Sequence, residues 1–274
     1  MKQTLLLAMA VVLSSQMVRA QANQQPSRAA PKIYNTVKTK LSQGKILNGG
    51  FINSPDPSIY CAMANSGFDF TWIEMQHSPL TYGEVARMLF ACRGSAAMPF
   101  IRVPDATESE VQKATDIGAM GLIFPTIDTA EKTREAVKWA KYPPLGRRSI
   151  GAGQFRELWG SDYRETANDN IMVIIMIETA IGVENVEKIA AVPGVDMIFI
   201  GPSDLASFSG TKGAGDPKFE AMIKRVHDVT LKAGLKLGSV TAFKGRPDFT
   251  FFVGGDEASL IKLGAKAFLE AGPK

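Results

Sequence analysis

The pattern of this chain predicts an α/β fold, a (β/α)8 TIM barrel in a single domain. Three observations carry the prediction. Short apolar runs alternate with segments of helical periodicity over roughly 230 residues, an ordinary length for such a barrel. The runs are near-continuous, as parallel strands covered on both faces require. Residues 171–205 read as strand, helix, strand, a right-handed crossover that makes its two strands parallel. A doubly wound open sheet is the competitor. It is weakened by the lack of a glycine-rich dinucleotide fingerprint after the first strand.

Residues 1–20 read as a secretory signal. Lys2 supplies the positive start, residues 5–13 the apolar run, and Val18-Arg19-Ala20 a cleavage point before Gln21. The run is too short to span a bilayer. Residues 21–31 are polar and Ala/Pro-rich and read as a disordered lead-in, leaving 32–274 as the barrel domain. The expected product is an exported, soluble, periplasmic protein.

Residues 34–41 read as a short helix ended by Gly44, and 46–52 as the first strand. A helix follows at 58–65, with Ser58 as its N-cap, then a second strand run at 68–75. Next come a helix at 82–92, a strand at 98–103 and a helix at 108–117 stopped by Gly118. The fourth strand, 121–124, stops at Pro125, and the helix 129–139 ends before Pro143-Pro144. Strands five and six, 171–177 and 195–200, flank helical spacing of Val183, Val186, Ile189 and Ala190. An amphipathic helix at 217–233 has Gly234 past its end. Strands at 236–241 and 249–253 and a helix at 256–270 complete the chain.

Two stretches lack a regular pattern. In residues 143–170, Gly146-Arg147-Arg148-Ser149-Ile150-Gly151-Ala152-Gly153 suits an anion cradle but lacks a P-loop ending. Residues 207–215 are Gly-rich and read as mobile.

With 274 residues, 45% of them apolar, the chain can bury a large core without staples. Lys2 and Arg19 account for two of the 31 basic residues, leaving 29 against 27 acidic ones. No basic block appears, which argues against nucleic acid and, after signal cleavage, against a membrane partner. Cys61 and Cys92 fall in helices among apolar neighbours and read as two buried free thiols, although export permits a disulfide.

In a barrel the residues following each strand share one mouth. That mouth collects Glu74, Gln76 and His77, then Arg102, Glu178, Ser203 and Asp204. Two carboxylates converging with room for water suit a hard divalent cation. The plainer reading is that Glu178 caps a helix and Asp204 closes a turn. His77 is a candidate general base, or else caps the turn before Ser78-Pro79. His227, the other of the two histidines, falls inside a helix and reads as structural. Arg102 is either an ion-pair partner or a stabiliser of charge on a bound oxygen. Together these groups favour a metal-assisted lyase or hydrolase.

Several runs now combine. They are Phe70-Thr71-Trp72-Ile73-Glu74-Met75-Gln76-His77, Phe100-Ile101-Arg102-Val103-Pro104, Asp116-Ile117-Gly118-Ala119 and Tyr142-Pro143-Pro144-Leu145-Gly146-Arg147-Arg148. With Ile177-Glu178-Thr179 and Phe199-Ile200-Gly201-Pro202-Ser203-Asp204-Leu205, the chain resembles the metal-dependent (class II) pyruvate aldolases. These include 4-hydroxy-2-oxoheptanedioate and 5-keto-4-deoxy-glucarate aldolases, with the citrate lyase β subunit more distant. The likeness runs from Val37 to Ala271.

The resemblance implies reversible aldol cleavage of a 4-hydroxy-2-oxo acid to pyruvate and an aldehyde. It implies Glu178 and Asp204 as ligands of Mg, Mn or Co, and His77 as base. Arg102 would stabilise the enolate, Asp116 would raise the basicity of the histidine, and Ser203 would hold the pyruvate carboxylate through its N–H. It also implies a homo-oligomer, typically a hexamer, with the last helix packing on a neighbour.

Two positions depart from the family. Met176 occupies a substrate-binding position where glutamine is usual, and Met75-Gln76 replaces Gly-Glu before the histidine. Two other readings therefore stay open: an exported oxoacid- and metal-binding protein without turnover, and a CoA-thioester lyase of the citrate lyase β type.

Overall fold

In the computed structural model, which describes residues 32–271, eight parallel strands close into a barrel in sequence order. They are β1 (Leu47–Ile52), β2 (Phe70–Glu74), β3 (Met98–Arg102), β4 (Gly121–Phe124), β5 (Met172–Ile177), β6 (Met197–Ile200), β7 (Lys236–Val240) and β8 (Phe249–Asp256). The expected signal and lead-in, 1–20 and 21–31, lie outside the described residues.

Helix α1 (Thr36–Ser42) precedes the barrel; α2 (Pro57–Ala64), α3 (Tyr82–Ala91), α4 (Glu108–Asp116) and α5 (Ala130–Ala140) follow the first four strands. Then come α6 (Phe155–Trp159), α7 (Tyr163–Asn170), α8 (Ala180–Glu184), α9 (Val186–Ala190), α10 (Pro202–Ser209), α11 (Pro217–Lys232) and α12 (Glu257–Ala271).

Polar caps start many of these helices by satisfying free backbone N–H groups. Thr81 and Glu84 form a capping box at α3. At α2 the cap is Asp56, not Ser58, because Pro57 occupies the first helical position and Asp56 accepts from Ser58 and Ile59.

The barrel interior is filled by aromatic rings made possible by glycines on adjacent strands. Phe70 stacks on Phe251 at 4.0 Å between centroids and meets Phe100 at 5.4 Å. Register sets Gly49 beside Phe70 and Gly121 beside Phe100. A Cβ on Gly49 would lie 2.1 Å from the Phe70 ring, and one on Gly121 2.3 Å from Phe100. Below the barrel, buried Asn35 donates to the carbonyls of Asn170 at 2.7 Å and Met120 at 3.1 Å, which pins α1 across the amino-terminal end.

Several expectations need correction. Cys61 and Cys92 are disulfide-bonded, with Cα atoms 5.3 Å apart. Helical periodicity in each segment gave no sign that α2 and α3, neighbours around the barrel, turn these positions toward each other. Residues 143–170 contain two helices. Arg148 does not cradle an anion: it is buried, donating to Asp116 Oδ1 at 2.9 Å and Tyr163 Oη at 2.8 Å, with Tyr142 stacked at 4.6 Å. Residues 207–209 belong to α10, which ends at left-handed Gly210.

The helix expected around 183–190 is two. Asn185 breaks it by turning its amide to the Asp128 carbonyl at 2.9 Å. Between β7 and β8 only a 3-10 turn, Thr241–Phe243, stands where the other connections carry α-helix. Phe243 packs on Phe249 there, 5.5 Å between centroids.

Candidate functional site

The carboxyl ends of β2, β3, β5 and β6 present the site residues. Glu178 immediately follows β5 and is 2% exposed. Its Oε1 accepts the Thr126 N–H at 2.6 Å, and its Oε2 is buried with no hydrogen-bond partner among the described residues. Burial raises its pKa above the ordinary carboxylate value. The Thr126 N–H opposes that rise, the Asp204 charge adds to it, and the Arg102 charge opposes it. The Asp128 charge adds a further, smaller rise.

Asp204 is in the first turn of α10, where Pro202 starts the helix and a negative side chain complements the helix dipole. Gly201 precedes it for a steric reason: a Cβ there would lie 2.5 Å from Glu178 Oε2. The backbone thus leaves open the space in front of the unpaired oxygen. Ser203, between Pro202 and Asp204, is exposed, and its N–H falls in a helix turn whose donors have no intrahelical acceptor.

Glu74 and Arg102 end β2 and β3 and are register partners. Arg102 Nε donates to Glu74 Oε2 at 2.5 Å, and Nη2 pairs with the same oxygen. Nη1 faces Met176 Sδ at 4.0 Å. Glu74 Oε1 also accepts the N–H groups of Gln76 at 2.8 Å and His77 at 3.0 Å. His77 is exposed at the rim, and its ring makes no hydrogen bond among the described residues. Among the described residues Glu74 holds the backbone of His77 and makes no hydrogen bond to its imidazole.

Of the expected site residues, the fold brings Glu178, Asp204, Arg102 and Met176 into one neighbourhood, with His77 and Ser203 at its edge. Asp116 is not among them. It is the last residue of α4, at the opposite end of the barrel, paired with Arg148 and accepting from Gln112 at 2.7 Å. A helix that leaves the carboxyl end of β3 must finish at the amino end of β4, so one chain cannot place Asp116 at its own mouth.

Thr126 was missed by sequence reasoning. It follows Phe124-Pro125 at the end of β4, so the strand-end rule marks its place, but it reads as an ordinary turn residue. His227 is structural, held by Asp228 at 2.9 Å and Asp248 at 3.1 Å.

A model of the HpcH/HpaI aldolase/citrate lyase family matches residues 48–248. A 2-keto-3-deoxy-L-rhamnonate aldolase of Klebsiella pneumoniae is 35% identical over 195 residues, 70% of this chain and 73% of that protein. A 2-dehydro-3,6-dideoxy-6-sulfogluconate aldolase of Pseudomonas putida is 34% identical, over 70% of this chain and 76% of its own length. The crystal structure of a HpcH/HpaI aldolase/citrate lyase family protein from Burkholderia cenocepacia J2315 superposes with a TM-score of 0.78 and 30% identity, covering 87% of this chain and 100% of that one. The chain therefore belongs to the HpcH/HpaI aldolase/citrate lyase family, as an aldolase-type carbon–carbon lyase.

Proposed function

We propose that this chain cleaves a 4-hydroxy-2-oxo acid reversibly to pyruvate and an aldehyde, with a divalent cation held by Glu178 and Asp204. The observation that carries the reading is Glu178 Oε2, buried and without a hydrogen-bond partner among the described residues, on a carboxylate that also feels the Asp204 charge. Such an oxygen is costly unless a cation or proton takes it. The donor set fits Mg, Mn or Co. Among the described residues no three or more His, Cys, Asp or Glu converge, so substrate and water would complete the coordination. The names of the aldolase relatives support an aldol reaction on a 2-oxo acid.

Once bound, the cation would supply Lewis acidity toward the 2-oxo group. The chain's own residues do the rest. Arg102 brings fixed positive charge to the oxygen that gains charge as the C3–C4 bond breaks. The Ser203 N–H, in the first turn of α10, suits the pyruvate carboxylate. His77 takes the proton of the 4-hydroxyl group.

Pyruvate release from 4-hydroxy-2-oxo acids, measured with and without EDTA, tests the reading. Chelation and Glu178→Ala should each abolish release, and activity indifferent to both would sink the metal assignment. Met176 and Gln76 favour the second reading, binding without turnover, because a thioether donates no hydrogen bond. Tight pyruvate or oxalate binding with no cleavage of any such acid would select it.

We also infer assembly with further copies of this chain. Helix α12 exposes Ile261, Leu263, Phe268 and Leu269, with Phe268 77% accessible. Monomers rarely leave so large an apolar face in water, and a second copy is the occupant that fits the family resemblance. Asp116, remote from its own mouth, would then reach a neighbour's. Light scattering of the intact chain and of Phe268→Asp checks this, the variant being expected to dissociate.

Export remains part of the proposal. What supports it is the Cys61–Cys92 bridge, a bond kept in oxidising compartments.

A further inference from the structure

We propose that Glu74 is a positioning residue of the reaction. One carboxylate fixes both the Arg102 guanidinium and the backbone that carries His77. The inference rests on the aldolase reading above.

Glu74 is 3% exposed, and its two oxygens have different tasks. Oε1 accepts from the Gln76 N–H at 2.8 Å and the His77 N–H at 3.0 Å. This sets the path of the chain as it leaves β2. Oε2 accepts from Arg102 Nε at 2.5 Å, pairs with Nη2, and also takes the Trp72 Nε1–H at 3.3 Å. The pairing is imposed by the sheet, because Glu74 and Arg102 are register partners on adjacent strands.

A buried ion pair of this kind contributes little net stability, so its geometry is the better reason for its presence. With Nε and Nη2 engaged by Glu74, Nη1 has, among the described residues, only Met176 Sδ as a hydrogen-bond neighbour, at 4.0 Å. A thioether is a weak acceptor, and that edge stays available to a substrate oxygen. The Trp72 ring, 5.6 Å from Arg102 Cζ, further limits where the guanidinium can go. Arg102 is thereby presented end-on, with little rotamer freedom to lose on binding.

Glu74→Gln separates the two tasks. Its amide oxygen still accepts from Gln76 and His77, whereas its NH2 group opposes the donors of Arg102. The expected result is a fall of ~10-fold or more in kcat/KM, seen in KM for the 2-oxo acid as well as in kcat, measured at a temperature where the variant is folded, because the Arg102 charge left unpaired also lowers the melting temperature. In an Arg102→Ala background the same change should matter less than ~2-fold, because its target is gone. Additive losses in the two backgrounds would overturn the proposal.

A second measurement needs no Glu74 variant. In NMR spectra of the nitrogen-labelled wild-type chain, the Arg102 Nε–H signal, assigned by its loss in Arg102→Lys, should exchange slowly with solvent. A fast-exchanging signal overturns the positioning role. A wild-type chain that releases no pyruvate strikes the aldolase reading, whereas this spectrum strikes only the role of Glu74.

Discussion

Thr126 holds Glu178 from a backbone conformation that β-branched residues seldom adopt. Its N–H donates to Glu178 Oε1 at 2.6 Å while its φ is 47°, in the left-handed region. The strain is stored where it orients a charged side chain. Thr126→Gly keeps the N–H and removes the Cβ clash, so it should stabilise the protein by about 1 kcal/mol in urea denaturation. Manganese affinity by titration should stay within about twofold of wild type. Thr126→Pro, which removes the N–H and forbids that φ, should lose both stability and affinity.

The raised pKa of Glu178 makes stability and cation binding depend oppositely on pH. Its folded value lies above the ordinary 4.5, chiefly through burial. Below 4.5 the group is protonated in both states and its contribution to stability is fully present. As pH rises through the folded value, the buried charge must form and that contribution is lost. Cation affinity runs the other way, because the metal displaces a proton. Manganese titrations from about pH 5 to pH 8 should show affinity rising with pH. In Glu178→Gln, metal-free stability should lose this component of its pH dependence.

The Cys61–Cys92 bridge closes a loop with a sequence separation of 31 that contains β2 and its site residues Glu74 and His77. Removing it should cost about 2–4 kcal/mol, chiefly by freeing the unfolded chain. Cys61→Ser/Cys92→Ser should therefore melt lower, and reductant should lower the wild type to match. The bridge joins outer helices, away from the strand ends that carry the proposed site. Pyruvate release at 25 °C, a standard assay temperature near which most marginal domains remain folded, should persist in the double serine variant.

Gly121 has no room for a side chain. A Cβ there would penetrate the Phe100 ring at 2.3 Å, among rings that already fill the barrel interior. Gly121→Ala should destabilise by roughly 1–3 kcal/mol through overpacking. Phe100→Leu in the same chain should recover part of the loss, as chemical denaturation of the single and double variants would show.

The fold was legible because parallel strands and amphipathic helices leave periodic traces, and all eight strands were placed close to where they lie. The carboxylates at the ends of β5 and β6 were legible for the same reason, since a strand end locates a mouth. Thr126 was not, because its positive φ and backbone donor leave no mark on a Thr. The disulfide was hidden because pairing depends on how two helices face each other around the barrel. Arg148 misled for a related reason. Its glycine-rich neighbours look like an anion loop, but α4 and α7 supply Asp116 and Tyr163 from distant parts of the chain.

Met176 sets a thioether, which donates no hydrogen bond, beside Arg102 and Glu178 in the proposed site. It is 3% exposed, and its sulfur lies 4.0 Å from Arg102 Nη1. Its Cε would lie 3.3 Å from a Cβ on Gly201, so it also borders the space beside Glu178. Glutamine is close to methionine in length and adds an N–H donor toward that space without enlarging the side chain. Met176→Gln should lower KM for the 2-oxo acid about tenfold, the value of one added hydrogen bond to a charged group. Because the contact forms equally with substrate and transition state, kcat should change little. A KM that rises instead would show that Met176 serves as an apolar wall against part of the substrate.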